Sequence, residues 1–392
     1  MNERHGFLST QTTSILVLVV ILSGCTASTP VVETATRSKV AVEPVPVEIA
    51  TAALPSSVLP TQLPTKLPTL APKLPTELPS APALLQRTDD HRIIPIHQAT
   101  GTALVAWQSK HFVLLVDSEI NQLSEIAHLL ENTHRSFHEM FPASATLSDK
   151  STDPLVWVFL NSRETYEQYA QWADNRSMSW TQAYYSPFTN RVAICVAAKT
   201  TASSSPSDPA TEASLAEPQS SQWLAVALKT DAQLCAQITH EAGHQLAFNS
   251  GLQARGVMYP IWASEGLATN FELDANGRLG TQASNPLRLR HLVRSIENNQ
   301  LLPLKQWVNF TRLPLNNPKQ INAIYAQSWA FFRFLHIHRR TELMTYLTLM
   351  ANQNPGRRSD DALMSDFVGV FGDLDKLEKD WLVFVKDMTA SN

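Results

Sequence analysis

Two imidazoles and one carboxylate fall within a single helical turn and a half of this sequence. His240-Glu241-Ala242-Gly243-His244 lies inside the run AQITHEAGHQLAFN. On a helix, residues four apart stand one above the other, about 6 Å apart along the axis, so both rings can aim at one metal ion. Glu241 lies three residues before His244 and shares its face. From there it can take a proton from a water on the metal without binding the ion itself. Gly243 is out of place by propensity, since glycine in a helix interior costs about 1 kcal/mol against alanine. A packing or close-approach reason is expected for it.

A hydrolytic zinc ion takes three protein ligands and keeps one position open. The carboxylates on the following segment are Glu265, Glu272 and Asp274. Pro260 is a good helix starter, and the loop GLQARGVM is long enough to turn the chain back antiparallel to the first helix. Glu272 lies two helical turns beyond Glu265 on roughly the same face. That position suits a hydrogen bond to the far nitrogen of a ligand histidine.

His240, Glu241, His244 and the run Trp262-Ala263-Ser264-Glu265-Gly266-Leu267-Ala268 resemble the gluzincin metallopeptidases. The pattern is also similar to an uncharacterised family of exported bacterial proteins with HEAxHQLAFN followed by WxxEGLA. The downstream YAQSWAFFRFL, Tyr325 to Leu335, fits it too. The likeness covers roughly residues 105 to 390 and is strongest over 236 to 272. The alternative metzincin pattern wants Gly at 247 and His at 250, where this chain has Ala247 and Ser250. The resemblance implies an α+β zincin fold with an N-terminal lobe of mixed sheet and helices, a C-terminal helical lobe and a cleft between them. It implies Zn2+ held by His240, His244 and Glu265, with Glu272 behind the ligands. Glu241 would act as general base on a zinc-acidified water and then hand its proton to the leaving amine. Tyr325 is the first candidate for the donor that meets the developing oxyanion, ahead of His291, His336 and His338. With Trp329 and Phe332 it also forms an aromatic stripe of the kind that packs a core. By the same resemblance, the strand from Arg191 to Ala197 is an edge that pairs with the substrate backbone.

These residues need elements to hold them. KHFVLLVDS and PLVWVFL read as buried strands. Between them, Ile120, Leu123, Ile126, Leu130 and Phe137 keep helical spacing behind Ser118 as N-cap. NSRETYEQYAQW reads as a short helix capped by Asn161 or Ser162. QAYYSPFTNRVAICVAA reads as a hairpin turning at Pro187 to Asn190. Helices are expected over 230–250, 260–273, 286–298, 323–338, 341–352 and 373–388. Strands first and helices later give an α+β class.

The 392 residues and 44 % hydrophobic content suffice for one large core or two small ones. The net charge of -4 comes with no basic stripe, which argues against nucleic acid as a partner. Ile15 to Leu22 is too short an apolar run to span a bilayer but suits a signal peptide. It ends in Leu22-Ser23-Gly24-Cys25, which resembles the lipobox of bacterial lipoproteins. The expected organisation is therefore a signal peptide over 1–24, then a lipidated Cys25 opening a Pro/Thr-rich stalk over 25–100. A metallopeptidase domain follows over 101–392, with a low-complexity insertion at 199–221. Thr26 after the Cys fits outer-membrane retention. Cys195 and Cys235 either join in a disulfide, as an exported chain permits, or stand as two buried thiols. The expected partners are a peptide or protein substrate and the membrane through the N-terminal lipid. The rival function is a non-catalytic zincin-fold binding or envelope-organising lipoprotein.

Overall fold

The computed structural model describes residues 85–117, 123–142, 153–196, 232–274, 278–282, 284–314 and 317–390. The expected signal peptide, Cys25, most of the expected stalk, Ser118 and the expected 199–221 insertion lie outside the described residues. Six strands form one mixed sheet in the order β1-β2-β3-β4-β6-β5. They are β1 (Gln86–Thr88), β2 (Leu104–Gln108), β3 (Phe112–Asp117), β4 (Leu155–Leu160), β5 (Ala183–Ser186) and β6 (Arg191–Cys195). β3, β4 and β6 run parallel, while β1, β2 and β5 are antiparallel to their neighbours. β4 is apolar at every position, and β3 and β6 are so except at Asp117 and Arg191, because both faces of the sheet are covered. Leu155, Trp157 and Phe159 of β4 point into one core, and Val156, Val158 and Leu160 into the other.

The smaller core lies under α1 (Ile93–Thr100) and α3 (Arg163–Asp174). Ser162 caps α3, accepting from the Thr165 amide at 3.1 Å. The larger core holds α2 (Leu123–Met140) and α4 (Ala232–Asn249) against the opposite face. It continues into a helical lobe of α5 (Ile261–Asn270), α6 (Pro286–Glu297), α7 (Leu304–Trp307), α8 (Pro318–His338), α9 (Arg340–Ala351), α10 (Asp360–Phe371) and α11 (Leu374–Ala390). The class is α+β, as expected from the order of the elements. Among the described residues no helix is long and apolar enough to cross a membrane.

Two expectations change and one open choice is decided. The ordered domain begins before residue 101: β1 pairs with β2, and Ile96 of α1 is fully buried, so 86–100 belongs to the fold rather than to the stalk. No disulfide joins Cys195 and Cys235. Strand alternation sends Cys195 into the core under α1 and α3, while Cys235 faces the core on the other side of the sheet. Arg191 to Cys195 is also not an edge. β6 sits between β4 and β5, and the outer strand is β5.

Candidate metal centre

α4 supplies the first two groups. His240 and His244 project from one face with ring centroids 5.0 Å apart. α5, buried at every residue, lies against α4 and brings Glu265 to the same point. Glu265 Oε2 is 3.3 Å from His240 Nε2 and 3.6 Å from His244 Nε2. One atom from each residue falls within 4.8 Å of the others, and this is the one such group of metal-binding side chains found among the described residues.

Two glycines permit the approach. A Cβ on Gly243 would come 3.2 Å from the Ala268 Cα of α5. A Cβ on Gly266 would come 2.6 Å from the Ser328 carbonyl oxygen of α8 and 2.9 Å from Phe332 Cβ. Glycine at 243, unfavourable for an isolated helix, is the condition for a second helix to reach the histidines.

The separations of the carboxylate oxygen from the two ring nitrogens fit a small tetrahedral ion. Ligands at about 2.0–2.1 Å from zinc stand about 3.3 Å from one another. Glu265 Oε2 is buried and, despite its nearness to both rings, makes no hydrogen bond of acceptable geometry among the described residues. An oxygen placed equally for two ring nitrogens and bonded to neither suits a shared cation. Two nitrogens and one carboxylate oxygen are a donor set typical of catalytic zinc.

Glu272 stands behind His240, its Oε1 3.2 Å from Nδ1. Its other contacts are Asn285 Nδ2, donating to Oε2 at 2.6 Å, and Arg288 Nε, donating to Oε2 at 3.0 Å. The rival Asp274 is committed elsewhere, accepting from the Arg278 and Ser284 amides in the loop beyond α5. Glu241 Oε2 accepts the Tyr185 amide at 2.7 Å, which ties the carboxylate to the outer strand β5. The Tyr325 ring centroid lies 6.2 Å from that of His240. Trp329 and Phe332 of the same stripe are buried in the core, while Tyr325 is half-buried at its margin. His336 meets Thr281 and Arg340, and His338 packs on Phe334 and Phe384, so neither joins the cluster. His291 on α6 is likewise no part of it.

Burial alone would lower the pKa of His240; the adjacent Glu265 and Glu272 carboxylates outweigh it and raise it to about 10. Burial would raise Glu272, but Arg288 and His240 hold it at about 2. Against the same burial, the two imidazoles hold Glu265 far below the usual carboxylate range. Glu241 is raised, chiefly by burial. The Tyr325 hydroxyl is pushed well up by burial and then by Glu265.

Sequence reasoning missed several supporting groups. Gln245 accepts from Trp157 Nε1 at 2.8 Å and donates to the Val156 and Asn190 carbonyls, fixing α4 against β4 and the hairpin. Asn249 and Arg255 hold the same hairpin, and with it the Tyr185 amide. Arg288 and Asn285 were missed too. The signal for Asn285 was its place before Pro286 at a helix start; its bond to Glu272 is tertiary and left no periodic trace.

Residues 234–356 match a family described as "Protein of unknown function (DUF1570)". The matched stretch takes in His240, Glu241, His244, Glu265, Glu272, Arg288 and Tyr325. No curated protein matches the chain.

Proposed function

We propose that this chain is a zinc-dependent metallopeptidase of gluzincin type, with a zincin fold, tethered to the bacterial cell envelope by a lipid on Cys25. The observation that carries the catalytic part is the meeting of His240 Nε2, His244 Nε2 and Glu265 Oε2 around one point. The anchoring part rests on the Leu22-Ser23-Gly24-Cys25 sequence.

Bound by those three atoms, zinc would supply a Lewis acid for a peptide carbonyl and would acidify water toward neutrality. The protein's own residues do the rest. Glu241, raised by burial, takes the proton of the attacking water and returns it to the leaving amine. The Tyr185 amide fixes one oxygen of that carboxylate. Glu272 accepts the Nδ1 proton of His240 and so presents Nε2 as a ligand. Tyr325, protonated beside Glu265, donates to the developing oxyanion. β5 carries the outer edge of the sheet and its Tyr185 touches Glu241, so a peptide adding to β5 as a further strand runs past the base.

Metal analysis of the purified chain tests the reading: zinc near one per chain is expected, and its absence would overturn the proposal. Glu241→Gln should keep the zinc and lose about 10²–10⁴-fold in peptide cleavage. Undiminished cleavage would remove Glu241 from its role. Labelling with a fatty-acid analogue should mark the wild type and not Cys25→Ala.

A further inference from the structure

Arg288 stands on the first turn of α6 with its side chain 14 % exposed. A guanidinium so far from water needs a partner of opposite charge and a full set of acceptors. It finds the opposite charge, and acceptors for Nε and Nη2, in Glu272: Nε donates to Oε2 at 3.0 Å and Nη2 to Oε1 at 2.5 Å, a two-pronged contact that fixes the plane of the carboxylate. Oε1 faces His240 Nδ1 at 3.2 Å, and Oε2 also accepts from Asn285. Asn285 is itself the N-cap of α6, accepting the Arg288 amide at 3.1 Å, so the start of this helix is locked to the carboxylate from both sides. The same guanidinium lies over the ring of Tyr325, 4.9 Å from its centroid.

We propose that Arg288 is a positioning residue of the metal centre, holding Glu272 in the orientation that sets His240 and seating the ring of Tyr325. The inference rests on the zinc reading above. A pair serving only to join α5 to α6 would need neither the imidazole nor the tyrosine. Here one side chain touches the residue behind a metal ligand and the candidate oxyanion donor together.

The test uses the full chain as wild type, Arg288→Met and Arg288→Lys. Zinc affinity is measured by chelator competition, and the cobalt-substituted protein gives a ligand-field absorption spectrum. Arg288→Met should bind zinc about 10- to 100-fold more weakly and shift the cobalt bands. Arg288→Lys keeps the charge but not the fork, so it should recover part of the affinity and still show altered bands. Arg288→Lys also preserves a reading if the methionine variant fails to fold. Tight wild-type binding, with affinity and spectrum unchanged in every variant that folds, would overturn this inference alone. A wild-type chain with no zinc affinity would overturn the zinc reading and this inference with it.

Discussion

The protein carries two pairs of histidines four apart on a helix, and they come to different ends. His134 and His138 on α2 have ring centroids 4.4 Å apart, closer than the 5.0 Å between His240 and His244 on α4. Around the α2 pair the third group is another ring: His111 lies flat on His134 at 3.8 Å. Two carboxylates lie near: Asp153, before β4, lines the same pocket as the three rings, and Glu131, from the same helix, is spent on the β2–β3 turn. It accepts from the Ser109 hydroxyl at 2.7 Å and the His111 amide at 2.9 Å, and meets His111 Nδ1. Around the α4 pair the carboxylate arrives from a second helix with an oxygen to spare. Spacing on a helix is common. What sets the α4 pair apart is a carboxylate from a separate helix within ligand range of both rings.

The sharpest break of that comparison is at the carboxylate. Glu265→Gln should weaken zinc binding on the order of 10²–10³-fold, the share of one ligand in a structural zinc affinity of about 10–16 kcal/mol. His138→Ala should leave zinc content at one per chain. Equal loss in the two variants, read by chelator competition, would mean that both pairs hold metal and that the contrast drawn here is false.

The packing that brings Glu265 to the histidines can be broken next. Gly266→Ala places a methyl 2.6 Å from the Ser328 carbonyl oxygen and 2.9 Å from Phe332 Cβ, and should cost about 1–3 kcal/mol or more together with zinc affinity. Gly369→Ala is the control. That glycine lies within α10 and a Cβ there meets nothing within 4 Å, so alanine should be neutral or stabilise by up to about 1 kcal/mol. Thermal denaturation of both variants should separate them in opposite directions. A milder version is Gly243→Ala, where the nearest atom is 3.2 Å away.

These sites also mark what the sequence made legible. His240, Glu241 and His244 announce themselves because one helix turn places them, and Glu265 because the next helix returns after a readable loop. The buried strands β3 and β4 show as unbroken apolar runs, and the hairpin shows through its turn residues. β1 and α1 were hidden beside a Pro/Thr-rich tract whose composition overwhelms the short segment that follows. The order of β5 and β6 was hidden because which hairpin strand lies outermost depends on the pairing of Val156 with Arg191 across β4 and β6, which no local pattern encodes. Arg288 was hidden for the same reason. A charged residue on an amphipathic helix reads as solvated until a buried carboxylate from elsewhere claims it.

The smallest expected effect concerns protons on the α2 pair. Burial, aided by His111 and His138, lowers the pKa of His134 from 6.5 to about 4. Above pH 6.5 the ring is neutral folded or unfolded and stability is unaffected. As the pH falls below 6.5 the unfolded chain takes a proton that the folded chain refuses, so stability declines until about pH 4, where the folded ring accepts it too. His336, also lowered to about 4 by burial and then by Arg340 and Arg333, adds a parallel decline. His134→Phe keeps a ring stacked on His111 and removes one of these two protons. Its urea midpoint should therefore fall less between pH 7.5 and 5 than that of the wild type, with the remainder belonging to His336 and other groups. Equal falls would show that His134 takes its proton as readily folded as unfolded, and the α2 pair would then be a solvated face rather than a packed one.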